Sequence, residues 1–180
     1  MQALRHTLNC LFLAGGLLML PAHADDAIDV GNAVPDAKAV NEGLFPEEAC
    51  EQLKAAGFKC MGFKPAVRYS LPASSFALGS AELPDLLKKQ LEVFAEVLRT
   101  KRGSNKTVRI EGHADASGEA AANLALSRRR ADAVKSFLVG QGADESMLVT
   151  VGLGANVPKN AADPLAAENR RVEIGRQPAP

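Results

Sequence analysis

An aspartate, an asparagine and an arginine carry the chemistry this sequence offers. Asp115 closes an alternating run within Gly112-His113-Ala114-Asp115-Ala116-Ser117-Gly118, where Gly118 marks a turn. Asn123 follows, and then Leu126-Ser127-Arg128-Arg129-Arg130-Ala131. Asn123 and Arg130 are seven residues apart, two turns of an α-helix, and share one edge of its wheel. Arg129 points away and Arg128 lies on the other flank, so Arg130 is the arginine placed to reach back toward Asp115. A carboxylate and a guanidinium over a polar notch suit a zwitterion. The aspartate takes an ammonium group, and the arginine holds a carboxylate through two parallel hydrogen bonds, which lysine cannot imitate. The spacing alone fits an internal Asp115–Arg130 salt bridge as well.

Other chemistries fit these residues less well. His113 beside Asp115 suggests a metal pair or an acid–base pair. A metal site needs further ligands, and His113 is the only histidine beyond residue 24. A hydrolase needs a nucleophile, a base and an orienting group. Ser117 reads as a turn residue and Ser127 as part of a buried helix face. Lys+Arg and Asp+Glu number 21 each, which argues against a nucleic-acid binder with its basic excess.

The elements that must position these residues alternate strand and helix. Residues 107–112 set Val108 and Ile110 against Arg109 and Glu111, the pattern of a half-buried strand. Residues 120–139 read as a helix with Leu124, Ala131, Val134 and Leu138 as its buried stripe, ended by Gly140 and Gly142. Residues 84–101 form a second amphipathic helix. Extended runs fall at 67–71, 75–78, 148–151 and 171–175, with a Pro/Ala/Asn loop at 153–168. In the last run, period two places Val172 and Ile174 on one face with Arg170, and Arg171 and Glu173 on the other. This order predicts an α/β (α+β) sandwich, with helices packed on one face of a mixed sheet.

The N-terminal third reads differently. Arg5 and His6, an apolar run at 8–20 and Ala22-His23-Ala24 have the layout of a secretory signal cleaved after Ala24. Cys10 lies inside the apolar run and lacks a small residue before it, so it is not expected to carry a lipid. Residues 25–44 read as a flexible tether, 45–65 as a small cap, 66–176 as the main domain and 177–180 as a frayed tail. Phe45-Pro46-Glu47-Glu48 opens a short helix in the cap. Cys50 and Cys60 remain after cleavage, an even count that in an exported chain favours a disulfide. Closing that short loop stabilises by about 2.5–3 kcal/mol in the chain-entropy model.

The spaced residues Gly112-His113-Ala114-Asp115, Gly118, Asn123, Leu126-Ser127, Arg130-Ala131 and Val134 resemble the OmpA-like peptidoglycan-binding domain, found also in peptidoglycan-associated lipoproteins. Asn169-Arg170-Arg171-Val172-Glu173-Ile174 matches a later hallmark of that family, and residues 76–83 resemble its entry pattern. The resemblance covers roughly residues 66–176 and implies a βαβαβ-β mixed sheet. It implies non-enzymatic binding, without a cofactor, to the diaminopimelate-containing stem peptide of peptidoglycan. Asp115 would receive the ammonium end and Arg130 the carboxylate end. Asn123, Leu126 and Arg170 or Arg171 would line the pocket, with backbone amides near Gly79 and Ser80 contributing. The rim departs from the family at Leu78 and Gly79, where an aromatic and an acidic or Asn residue are common. A periplasmic protein held at the cell wall follows. A second reading has an envelope or outer-membrane protein as main partner, met by Phe58, Met61 and Phe63 of the cap.

Overall fold

The computed structural model describes residues 27–60, 62, 65–72, 76–77 and 79–177. The signal-like segment therefore lies outside the described residues. The elements run β1 (Ala27–Asp29), α1 (Ala37–Leu44), α2 (Glu47–Ala55), β2 (Arg68–Pro72), α3 (Asp85–Arg99), β3 (Val108–His113), α4 (Ala120–Gly140), β4 (Leu148–Gly154) and β5 (Arg171–Arg176). Single 3-10 turns at Glu145–Met147 and Ala167–Asn169 precede β4 and β5. Among the described residues no helix is long and apolar enough to cross a membrane.

The five strands form one mixed sheet in the order β1-β2-β5-β3-β4. β3 and β4 are parallel and joined by α4, whereas β5 runs antiparallel between β2 and β3. Strand alternation sorts the side chains. Tyr69, Leu71, Val108, Ile110, Val172 and Ile174 face α3 and α4 and join Leu87, Leu91, Phe94, Leu98, Ala131, Val134 and Leu138 in the core. Tyr69 meets Phe94 edge-on with ring centroids 5.4 Å apart. Glu111 stands opposite Glu173 across β3 and β5, on the other face.

The expected tether is part of this body. Residues 27–29 pair with β2 as a parallel edge strand. Buried Gln90 donates from Nε2 to the carbonyls of Gly31 and Ala33 at 2.9 and 2.8 Å. Asp36 caps α1 by accepting from the Ala39 amide at 3.0 Å. Val40 and Leu44, four apart on its inner face, are fully buried. One apolar pair and one cap suffice for an 8-residue helix, too short for a sustained period to show.

The cap is fastened to the same core. Phe45 is buried beneath the cations of Lys101, Lys106 and Arg176, which lie 5.1, 5.7 and 5.1 Å from its ring centroid. Those cations pair with the acids that open α2: Lys101 with Glu48 at 2.5 Å, Arg176 with Glu47 at 2.9 Å, and Lys106 with Glu47. Cys50 and Cys60 form the expected disulfide, with Cα atoms 5.5 Å apart. Phe76 and Ala77, the described part of the expected 75–78 extended run, are not in a strand.

In α4 the buried stripe differs from expectation. Leu124 is 46% exposed, and Asn123, Ser127 and Arg130 are buried ahead of Ala131, Val134 and Leu138. The backbone of α4 runs so close to β3 and β4 that no apolar side chain fits between. A Cβ on Gly112 would fall on the Ser127 carbonyl, and one on Gly152 would come within 2.6 Å of the Arg128 amide nitrogen. Gly112→Ala is therefore expected to lower the unfolding free energy by about 2–4 kcal/mol in urea titrations. Gly140→Ala, whose Cβ meets nothing within 4 Å, should leave it unchanged or raise it by up to about 1 kcal/mol. Equal stability of the two variants would contradict the close approach.

Candidate ligand-binding site

The site is built where β3 ends. The Ala114 amide donates to the Gly154 carbonyl at 2.8 Å, which carries the chain one residue past the strand before it turns. Asp115 then folds back on its own loop: Oδ1 accepts from the Ser117 amide at 3.1 Å and from the Ser117 hydroxyl. Gly118, at φ +77, completes the turn into α4. From α4, Asn123 donates through Nδ2 to the carbonyls of Asp115 at 3.1 Å and Ser117 at 2.6 Å. Ser127 donates to the Leu124 carbonyl and accepts from the Gly154 amide, each at 2.9 Å. Asn123 and Ser127 thus fasten helix, loop and strand end together.

Arg130 projects from the same face of α4. Its Nε donates to the Ser80 carbonyl at 3.0 Å, and its guanidinium carbon lies 4.7 Å from the Phe76 ring centroid. Among the described residues, neither Nη of Arg130 has a hydrogen-bond partner. Burial disfavours its charge and Arg170 adds to that, while Asp115 opposes both, so its pKa is lowered. A buried guanidinium with an unengaged fork is placed to receive a carboxylate.

Asp115 does not pair with Arg130. Its Oδ2 is taken by Nη1 of Arg170 at 2.5 Å. Burial raises the pKa of Asp115, but the Ser117 hydroxyl, Arg170 and the Ser117 amide together outweigh it and hold the carboxyl below its ordinary value. Arg170 arrives from a loop organised by fully buried Asn169. That side chain accepts from the Asn160 amide at 2.8 Å and donates to the carbonyls of Asn160 and Asp163 at 3.2 and 2.9 Å. The Ala116 amide donates to the Pro164 carbonyl at 2.9 Å, tying that loop to the Asp115 turn.

Of the residues expected at the site, Asp115, Asn123, Arg130, Arg170 and Ser80 are joined by these contacts. Ser80 contributes a carbonyl acceptor. Gly79 is exposed at φ +69 beside it, and Leu126 is half-buried on α4. Arg171 belongs elsewhere. It lies under the opposite sheet face, with Nε on Glu173 at 2.6 Å and Nη2 on the Val157 carbonyl at 3.3 Å. Two contributors escaped the sequence reading: Phe76 beneath Arg130, and Ser117 as the clamp on Asp115. The Asx-turn spacing of Asp115 and Ser117 was a signal for the second.

His113 points away from the notch. Its Nε2 lies 3.9 Å from Glu111 and 3.8 Å from Glu173, and neither ring nitrogen has a hydrogen-bond partner among the described residues. Glu111, His113 and Glu173 gather ligand-type atoms within 4.8 Å of one another. Arg109 already holds Glu111 at 2.6 Å, Arg171 holds Glu173 at 2.6 Å, and Arg68 lies 3.5 Å from both. Those guanidiniums make the group a charge-paired layer, poorly suited to a further cation.

Comparison with known proteins agrees with this architecture. Residues 75–171 match the model of the OmpA family. The chain belongs to the OmpA family. A peptidoglycan-associated lipoprotein of Pseudomonas aeruginosa is 37% identical over 101 residues, covering 55% of this chain and 58% of that protein. The peptidoglycan-binding protein ArfA of Mycobacterium tuberculosis is 32% identical over 143 residues, covering 78% of this chain and 43% of that protein. The chain thus spans about half the length of these curated relatives. Among solved structures, the peptidoglycan-associated lipoprotein of Burkholderia pseudomallei is 28% identical at TM-score 0.50, over 57% of this chain and 86% of that one. The OmpA-like domain of FopA1 from Francisella tularensis, 24% identical at TM-score 0.52 over 63% and 76% of the two chains, shares the fold.

In this OmpA-family domain, burial first and Arg171 second push the His113 pKa down from 6.5 to about 3, with the Val157 backbone opposing them and Arg68 and Arg109 adding to the fall. The unfolded chain takes up that proton near pH 6.5 and the native state only near pH 3, so stability is full above pH 6.5 and falls as the pH drops through that window. Urea titrations should show a loss of up to about 2 kcal/mol between pH 7 and pH 5. His113→Gln should remove that slope, and an unchanged slope would assign it to other groups.

Proposed function

We propose that this OmpA-family domain binds peptidoglycan non-covalently, through the zwitterionic end of meso-diaminopimelate in the stem peptide. The observation that carries this reading is the buried Arg130 guanidinium, its two Nη groups unengaged among the described residues, near an Asp115 carboxylate fixed in orientation by Ser117. Arg130 takes the carboxylate and Asp115 the ammonium, with Asn123 holding the loop that presents Asp115. Relatives named for association with or binding to peptidoglycan support the ligand class. The neighbouring hydroxyls of Ser117 and Ser127 are engaged in loop and helix bonds, so the reading is binding rather than cleavage. This reading, with the signal-like N-terminus expected from the sequence, fits a periplasmic protein attached to the wall.

An envelope partner protein is the second reading. Phe58, 64% exposed, and Leu53, 47% exposed, lie on the cap and favour it. Met61 and Phe63, also expected there, lie outside the described residues. Truncating the chain before residue 66 is no test, because Val40, Leu44 and Phe45 belong to the core. Surface changes such as Leu53→Ser with Phe58→Ser separate the readings.

The test is co-sedimentation of the purified protein with isolated sacculi. The wild type and the Leu53/Phe58 variant are expected to pellet. Asp115→Ala and Arg130→Ala, checked for folding, should lose binding by about tenfold or more each. Wild-type binding should weaken as salt rises. Retained affinity in both notch variants would refute the pocket. Loss in the cap variant alone would move the function to the cap.

A further inference from the structure

We propose that Arg170 is a latch on the notch, occupying the one Asp115 oxygen that a ligand ammonium must take, so that binding proceeds by exchange of the two cations. The inference rests on the wall-binding reading above and concerns how the same site is regulated. Asp115 has two oxygens with different duties. Oδ1 is held by the amide and the hydroxyl of Ser117, which orients the carboxylate without help from Arg170. Oδ2 remains for a cation, and Arg170 Nη1 sits on it at 2.5 Å. Arg170 adds its hydrogen bond and charge on the second oxygen, after Ser117 has already fixed the carboxylate through the first.

Arg170 is free to leave. Its side chain is 36% exposed against 9% for Asp115, so its guanidinium can swing into water without leaving a buried cation behind. Its backbone is extended at φ −85, ψ 101, where it closes the turn Ala167–Asn169. Bonds of Asn169 and Pro164, not of the Arg170 side chain, hold that loop. Arg130 is the contrasting case: it is 4% exposed and anchored by Ser80 and Phe76, so it stays in place.

Charge count gives the latch a consequence. Among the described residues the notch holds one carboxylate against two guanidiniums, Arg130 and Arg170. A bare amine that displaces Arg170 leaves both guanidiniums without a carboxylate. An ammonium with a carboxylate on the same carbon supplies a partner for Arg130, while the released Arg170 passes into water. The latch therefore sets a threshold that an amino-acid terminus passes more readily than a simple amine.

The probe is the tripeptide L-Ala-γ-D-Glu-meso-diaminopimelate, titrated calorimetrically into the full chain, into Arg170→Ala and into Arg170→Gln. The Asp115 carboxyl is followed separately by carbon NMR as the pH is lowered. Both variants are expected to bind the tripeptide roughly two- to five-fold more tightly than wild type, the range for loss of a partly exposed competing ion pair. Asp115 should titrate at higher pH in both variants. Equal or weaker tripeptide binding, or an unmoved Asp115 titration, would overturn the latch. If the wild type and both variants ignore the tripeptide, the wall-ligand reading of the notch fails first, and the latch falls with it. Wild-type binding that the variants leave unchanged rejects the latch alone.

Discussion

The closeness of α4 to the ends of β3 and β4 is the constraint on which the rest of the structure depends. Gly112 and Gly152 leave no Cβ under the helix, so the Ser127 and Arg128 backbone can rest directly on the sheet. At that separation an asparagine on the helix reaches two carbonyls of the Asp115 loop, and a serine reaches the Gly154 amide. An apolar side chain in either place would leave those backbone groups unpaired, at a cost of about 1–3 kcal/mol for each one buried. The inner face of the N-terminal half of α4 is polar for this reason, and from Ala131 that face returns to ordinary apolar packing.

A second constraint joins the N-terminal segment to the same body. Phe45 is buried under three cations whose charges are answered by the acids opening α2. The ring shields the cationic stems, and the cations make a buried phenylalanine compatible with a charged neighbourhood. Val40 and Leu44 enter the core from α1, and β1 extends the sheet beyond β2. Cap and main domain therefore share one core, and the disulfide restrains a segment that packing has already placed.

How much of this could be read in the chain follows from the range over which each signal acts. α3, β3, β4 and β5 declare themselves through their own periodicity, and the positions of Asp115, Asn123 and Arg130 follow from strand end and helix wheel. β1 and α1 stay hidden because they are short, and their stability comes from partners far along the chain, such as Gln90 and Tyr69. Leu124 is misplaced by an apolar stripe because the helix face that matters there is polar, a consequence of the glycines below it. The Arg170–Asp115 contact spans 55 residues and depends on the Asn169-centred loop, whose fold no periodicity encodes. Arg171 is the opposite case: strand alternation alone assigns it to the other face, and there it lies.

Adjacent arginines thus serve two clusters of different character. On the far face of the sheet, buried Glu111 and Glu173 are held by Arg109, Arg171 and Arg68, and His113 stays neutral among them. Both carboxylates there have a guanidinium at 2.6 Å, so the cluster is charge-paired and contributes a specified polar layer. On the near side, one carboxylate stands against two guanidiniums, and the buried one has no acid of its own. Leaving a charge of that kind buried is costly, which a stable fold tolerates where a ligand supplies the missing partner. The difference lies in pairing, not in the number of carboxylates. Each guanidinium of the far cluster lies within 3.5 Å of a carboxylate, whereas buried Arg130 has none that close among the described residues, and an acidic ligand would supply it.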